Sequence, residues 1–183
     1  MVNFINEIFT ADLKDLAGLA KPNSGNHFVL VVLDAFSRKA YTSLLKNENS
    51  NSMIQAFRSV FEEARVTPVY LYTDRGAEFM SRAFGKFLDQ NHVTLYNIHS
   101  RMKASISERF IRTLFSKLQR YMTLKNTKRI VKVLPDFTSA YNATKHRSIG
   151  MVPNEVNTRN SYEVWQHIYG KYLEESKRPR KPP

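Results

Sequence analysis

Six consecutive apolar residues, Phe28-Val-Leu-Val-Val-Leu33, constrain the fold of this chain more than any other stretch. The run is rich in β-branched residues and too short for a helix, so it reads as a strand buried on both faces. Such a strand needs sheet neighbours beside it and helices above and below it. Ile5 to Leu13 supplies a partner strand, and Lys21-Pro-Asn-Ser-Gly-Asn26 a turn between the two. Ala40 to Leu45 reads as a third strand, reached through Asp34 to Arg38. Two successive hairpins give three antiparallel strands.

The pattern then changes. Asn49 to Asn51 can cap a helix, and Met53, Ile54, Phe57, Val60 and Phe61 recur at helical spacing before Pro68. Val69 to Tyr72 reads as a strand, Phe79 to Leu88 as a helical stretch, and Val93 to Tyr96 as a fifth strand. From Ala104 to Met122 the residues Ile106, Phe110, Leu114 and Leu118 step by four, the mark of an amphipathic helix. A last helix is expected from about Lys128 to His146, interrupted or offset near Pro135. The expected fold is α/β: a five-stranded mixed sheet, three antiparallel strands then two parallel ones, flanked by helices. The first strand sits centrally, because it must pair both with its hairpin partner and with a later parallel strand.

Composition narrows the function. The net charge is +12, which points to a polyanionic partner, nucleic acid before an acidic membrane surface. Residues 1–100 hold 10 Lys+Arg and 10 Asp+Glu, whereas residues 101–183 hold 18 and 6. Cysteine is absent, which excludes a disulfide scaffold, a thiolate nucleophile and Cys-ligated zinc. An apolar run of six residues is far short of the roughly 18 needed to span a bilayer, so no membrane partner is expected.

Three acids invite attention. Asp12 lies near the end of the first strand, Asp74 just past the fourth, and Glu108 in the first turns of the long helix. If strands one and four are parallel neighbours, Asp12 and Asp74 emerge at the same carboxyl edge, where open α/β sheets place ligand sites. Glu108 is the one acid among the ten basic residues of 101–132. Clustered carboxylates without Cys suit hard ions such as Mg²⁺ or Mn²⁺, and two such ions can bracket a phosphodiester. Each acid also has an ordinary reading: a strand-end cap, a turn residue, and a helix acid paired with Arg112 four residues on. Asp15, Asp34 and Glu78 compete with them as ligands. Gly76 reads as a turn residue with positive φ.

Several segments resemble a known family. Thr73-Asp-Arg-Gly-Ala-Glu-Phe79 resembles the TDxGxEF signature of retroviral-type integrases, and Lys103 to Leu114 resembles their KAxxxERFxRTL helix. Thr10 to Asp15 and Val32 to Arg38 resemble the strand with the first aspartate and the turn after the second strand. Tyr141 to Pro153 and Glu163 to Gly170 look like the integrases of Maverick/Polinton DNA transposons. The resemblance covers about residues 7–170, leaving 1–6 as a lead-in and 171–183 as a basic, proline-rich tail. It implies the RNase H-like fold and a D,D-E triad of Asp12, Asp74 and Glu108 holding two Mg²⁺ ions. It implies metal-dependent nicking near the 3′ end of element DNA and transfer of that end into target DNA, by a homodimer or higher multimer. It places Arg112 against the element's DNA end. Apart from the resemblance, Lys103, Arg109, Arg112, Lys117 and Arg120 could line a phosphate track, with Lys117 and Arg120 also readable as plain solvent-exposed cations. The chain departs from the family at Ser107, where Val is usual, and at Ile111, where Asn is usual. Two rival readings stay open: a decayed or domesticated DNA-binding module of the same fold, and a nuclease acting on RNA–DNA hybrids. His99 reads as a surface or packing residue. The run from Lys177 to Lys181 resembles a nuclear import signal, from which a nuclear location is expected.

Overall fold

The structure, a computed structural model, describes residues 1–16, 18–74, 76–97 and 101–176, with the side chains of 101–105 and 171–176 outside that description. The central apolar run forms β2 (Phe28–Asp34) between β1 (Ile8–Asp15) and β3 (Ala40–Leu45). β4 (Tyr70–Thr73) and β5 (Thr94–Asn97) complete a five-stranded sheet of order β3-β2-β1-β4-β5. β1–β2 and β2–β3 are antiparallel, and β1–β4 and β4–β5 are parallel. β1 is central, as expected. It starts at Ile8 rather than Ile5 because Asn6 takes a left-handed conformation, φ 63°, which breaks the extended chain.

β2 is buried on both faces, and its side chains alternate between two cores. Leu30 and Val32 join Phe9, Leu71 and the aromatic residues of α1 (Ser50–Ala64) and α2 (Arg82–Gln90). Val29, Val31 and Leu33 join Phe110, Leu114 and Leu118 of α3 (Arg101–Leu124) and Leu134 of α4 (Leu134–Asn142). α1 starts where Asn49 accepts a hydrogen bond from the Ser52 backbone N–H at 2.9 Å. It ends at Arg65, in the left-handed region, ahead of Pro68.

The expected Lys128–His146 helix is shorter, Leu134–Asn142, and of the two expected effects near Pro135 it shows an offset start and not an interruption. Proline fits the first turn, where its missing N–H would have no intrahelical partner anyway. A fifth helix, α5 (Ser161–Ser176), packs Val164 into a third cluster with Ile8, Phe36 and Ile149. Two buried asparagines fasten the loops. Asn142 accepts from the Ala40 N–H at 2.8 Å and donates to the Ala40 carbonyl at 2.7 Å, so a side chain completes the outer edge of β3. Asn23 donates to the carbonyls of Leu19 and Lys128 and accepts from the Ile130 N–H, which ties the β1–β2 turn to the segment before α4.

Candidate active site

The β1–β4 ladder pairs Ile8 with Tyr70, Phe9 with Leu71 and Thr10 with Tyr72, and stops there. Asp12 and Asp74 each lie two residues beyond that last pair. In parallel strands equal offsets mean the same face, since side chains alternate with period two. Parallel pairing and register therefore bring the two acids to one point, the carboxyl edge at the centre of the sheet. Phe9 and Ala11 of β1 enter the α1/α2 core, so Thr10 and Asp12 face the α3 side.

α3 crosses that side, held by Phe110, Leu114 and Leu118. Glu108 stands on its exposed arc. The Asp12 carboxyl responds to this setting. Burial raises its pKa first, the Asp74 charge raises it further, and Glu108 adds to the effect. The Leu13 backbone N–H and the Lys14 charge oppose these effects without cancelling them. The three acids therefore share one field, with Asp12 half-buried and Asp74 and Glu108 exposed. Asp74 accepts a hydrogen bond from the Gly76 N–H at 3.1 Å. The Thr73 hydroxyl bonds both the Asp74 carbonyl at 2.8 Å and the Asn97 side chain at 3.2 Å, which ties the end of β4 to the end of β5.

The competing acids separate. Asp34 is fully buried in the β2–β3 turn, where it accepts from the Phe36 N–H at 3.1 Å, the Ser37 N–H at 3.2 Å and the Ser37 hydroxyl at 2.6 Å. Its role is to build that turn. Asp15 ends β1 opposite Phe28. Glu78 joins the acid cluster: its pKa is raised by burial first, and also by the charges of Asp74, Glu48 and Asp12. It explains Gly76 too. Gly76 has φ −55°, an ordinary value, so the expected positive φ is wrong. A Cβ at Gly76 would collide with the folded-back Glu78 carboxylate.

Of the expected DNA contacts, Arg112 is exposed one helical turn beyond Glu108, and Arg109 lines a cavity on the neighbouring flank of α3. Lys103 lies in the first turn of α3 with its side chain outside the described residues, and His99 and residues 177–183 lie outside them altogether. The departures have defined places: Ser107 is buried and Ile111 packs into the α3 core.

The donors at this edge are carboxylate oxygens, with no thiol in the chain. Thr10, on the same face as Asp12, carries the one buried side-chain oxygen among the described residues with no hydrogen-bond partner. An oxygen-lined, under-satisfied floor fits a hard divalent cation. Among the described residues, no three His, Cys, Asp or Glu side chains stand close enough to hold one ion.

This five-stranded mixed sheet flanked by helices is the RNase H-like fold of integrase catalytic cores. The HTLV-2 integrase catalytic core domain in complex with magnesium superposes with a TM-score of 0.68 at 18% identity, covering 84% of this chain and 97% of that one. The integrase of a simian T-cell lymphotropic virus intasome in complex with PP2A regulatory subunit B56 gamma gives 0.72 at 16%, covering 100% and 58%. The catalytic core domain of BIV integrase gives 0.67 at 14%, covering 88% and 99%. Residues 6–103 match the integrase core domain, and the chain belongs to that family. It is 37% identical over 136 residues to an uncharacterised transposon-derived protein of Caenorhabditis elegans, covering 74% of this chain and 48% of the relative. The chain thus spans about half the length of that curated relative. The family match includes Asp12 and Asp74 and stops short of Glu108. No described helix is long and apolar enough to cross a membrane.

Proposed function

We propose that this chain is the catalytic core of a DNA integrase or transposase of a Maverick/Polinton-like element, with Asp12, Asp74 and Glu108 as its triad. One observation carries the reading: the Asp12 carboxyl is raised by both other acids, at the edge where the central parallel strands part. Mutual repulsion among acids held by three separate elements disfavours the fold unless cations offset it. Asp12 would hold both of two Mg²⁺ ions, Asp74 one and Glu108 the other. Ions bound there supply activation of an attacking water or 3′ hydroxyl and stabilisation of the departing oxygen.

The protein's own part is placement. Asp12 is set by a central strand, paired there with Val31 of β2, so it fixes where the phosphodiester must come. Asp74 and Glu108 are exposed on a loop and a helix and can adjust towards it. Arg112 offers a fork to a phosphate one turn from Glu108, with Lys103 and Arg109 extending the basic arc. Nicking frees a 3′ hydroxyl, which displaces the bridging oxygen of a target phosphodiester. The count of phosphodiester bonds is kept, and no covalent bond to the protein is needed. The active form is a homodimer or larger, working in the nucleus.

The test is Mn²⁺-dependent nicking and joining of oligonucleotide ends. Wild type is expected to do both, and Asp74→Asn or Glu108→Gln neither. Unchanged activity in either variant sinks the triad. Salt-dependent DNA binding without cleavage by wild type selects a binding module instead.

A further inference from the structure

A cavity of about 560 Å³ opens between α3, α4 and the β2–β3 turn. Its cations come from three places in the sequence: Arg38 from the turn, and Arg109 and Lys117 from α3. Phe110, Tyr141 and His146 also line it, and no described lining residue carries a carboxylate. The rings form a wall: Phe110 meets Tyr141 edge-on at 4.5 Å between centroids, and Tyr141 meets His146 at 4.2 Å with the planes tilted by 47°.

Arg38 is the unusual member. Its backbone has φ 64°, and its Nη1 donates to the Ala35 carbonyl at 2.6 Å. Burial works most against its charge; Tyr141, Tyr169 and the Asp34 carboxylate favour the charge, and Arg109 opposes it. Tyr141 keeps its proton, with its pKa raised to about 12 by burial, so its hydroxyl can donate. Two guanidiniums and an ammonium gathered around a half-enclosed space repel one another, and an anion offsets that repulsion. Arg forks and a phenol donor match phosphate oxygens.

We propose that this cavity binds a backbone phosphate of nucleic acid whose strand crosses α3 from the acid edge. Helical spacing supports the path. Arg109, Thr113 and Lys117 follow one another at i, i+4 and i+8 along one stripe, and Glu108 and Arg112 form the neighbouring stripe. A helix is about 10–12 Å across, close to three base-pair rises of about 3.4 Å along a duplex axis. One strand can therefore present phosphates to Arg112 and to the cavity together. Lys117, which by sequence alone could be a solvated lysine, becomes part of a built site. The inference rests on the nucleic-acid reading above but not on catalysis.

The test is binding of a 20-base-pair duplex to the full chain in EDTA across a salt series. R109A/K117A is expected to lower the log–log salt slope by about two, at roughly 0.9 per phosphate contact. R38Q, which removes the inner fork, is expected to weaken binding at least tenfold. If R38Q does not fold, the double variant alone decides. K125A/R129A removes two exposed cations at the far end of α3 and serves as the control. An equal loss in the control, an unchanged slope in R109A/K117A, or no duplex binding by wild type overturns the proposal. So does a loss of binding to phosphatidylserine vesicles in place of DNA. A chain that binds through the cavity yet never nicks keeps this site and refutes the integrase reading. One that nicks with an unchanged slope does the reverse.

Discussion

Asp34 and Asp12 lie on adjacent strands, and burial raises the pKa of both. The turn around Asp34 answers with donors from Phe36, Ser37 and Asn6, which lower the pKa in part. Around Asp12 the Leu13 backbone donor and Lys14 are outweighed by burial and two more acids, Asp74 foremost. One buried carboxylate is enclosed by its own chain, whereas the other is left open to something from outside. Burial alone does not mark a reactive acid; what surrounds it does.

That contrast can be broken by experiment. Asp12→Asn is expected to drop Mn²⁺-dependent nicking to background while the thermal midpoint holds or rises, because a repelled charge disappears. A variant that unfolds would place Asp12 with Asp34. Asp34→Ala is expected to lose about 3 kcal/mol or more in urea unfolding, since it leaves several buried donors unpaired. A loss under 1 kcal/mol would remove the distinction.

Acidity sharpens it further. Folded Asp12 holds its proton more tightly than the unfolded chain, whose carboxyl titrates near 3.8. Its ionisation therefore destabilises the fold above the raised value, and the penalty fades as pH falls towards 3.8. The stability gained by Asp12→Asn over wild type is expected to be largest at neutral pH and to close on acidification. A constant gap would mean that repulsion is not its source. The smallest effect is Gly76→Ala. Ordinary φ and a movable Glu78 carboxylate keep its stability within about 0.5 kcal/mol of wild type, measured by the same urea titration. A loss beyond 1 kcal/mol would show that Glu78 cannot yield.

Strands were the legible part of this sequence. β3 falls on Ala40–Leu45 as its composition dictates, β2 runs one residue further, and β4 and β5 each lie one residue later at both ends. The central place of β1 followed from pairing arithmetic. The meeting of Asp12 with Asp74 was legible once β1 and β4 were taken as parallel, although the common offset from Thr10 and Tyr72 needed the actual ladder. Gly76 was misread because a φ argument and a close-approach argument predict the same residue. α5 offered a weak apolar stripe, visible only as a motif. The cavity was not legible, because Arg38 and Tyr141 stand about a hundred positions apart and only the docking of α4 on β3 unites them.

The hold of Asn142 on Ala40 has a consequence for how the chain acquires its shape. The segment matching the integrase core domain ends at residue 103, yet Val29, Val31 and Leu33 are covered by α3 and α4, which lie almost wholly beyond it. A ribosome that had released only the first hundred residues would present a sheet with one bare greasy side and an unsealed outer strand. The family match and the cooperative folding unit therefore have different lengths. Truncations drawn at residue 103 are expected to aggregate, and those that retain Asn142 to keep the backbone of Ala40 satisfied.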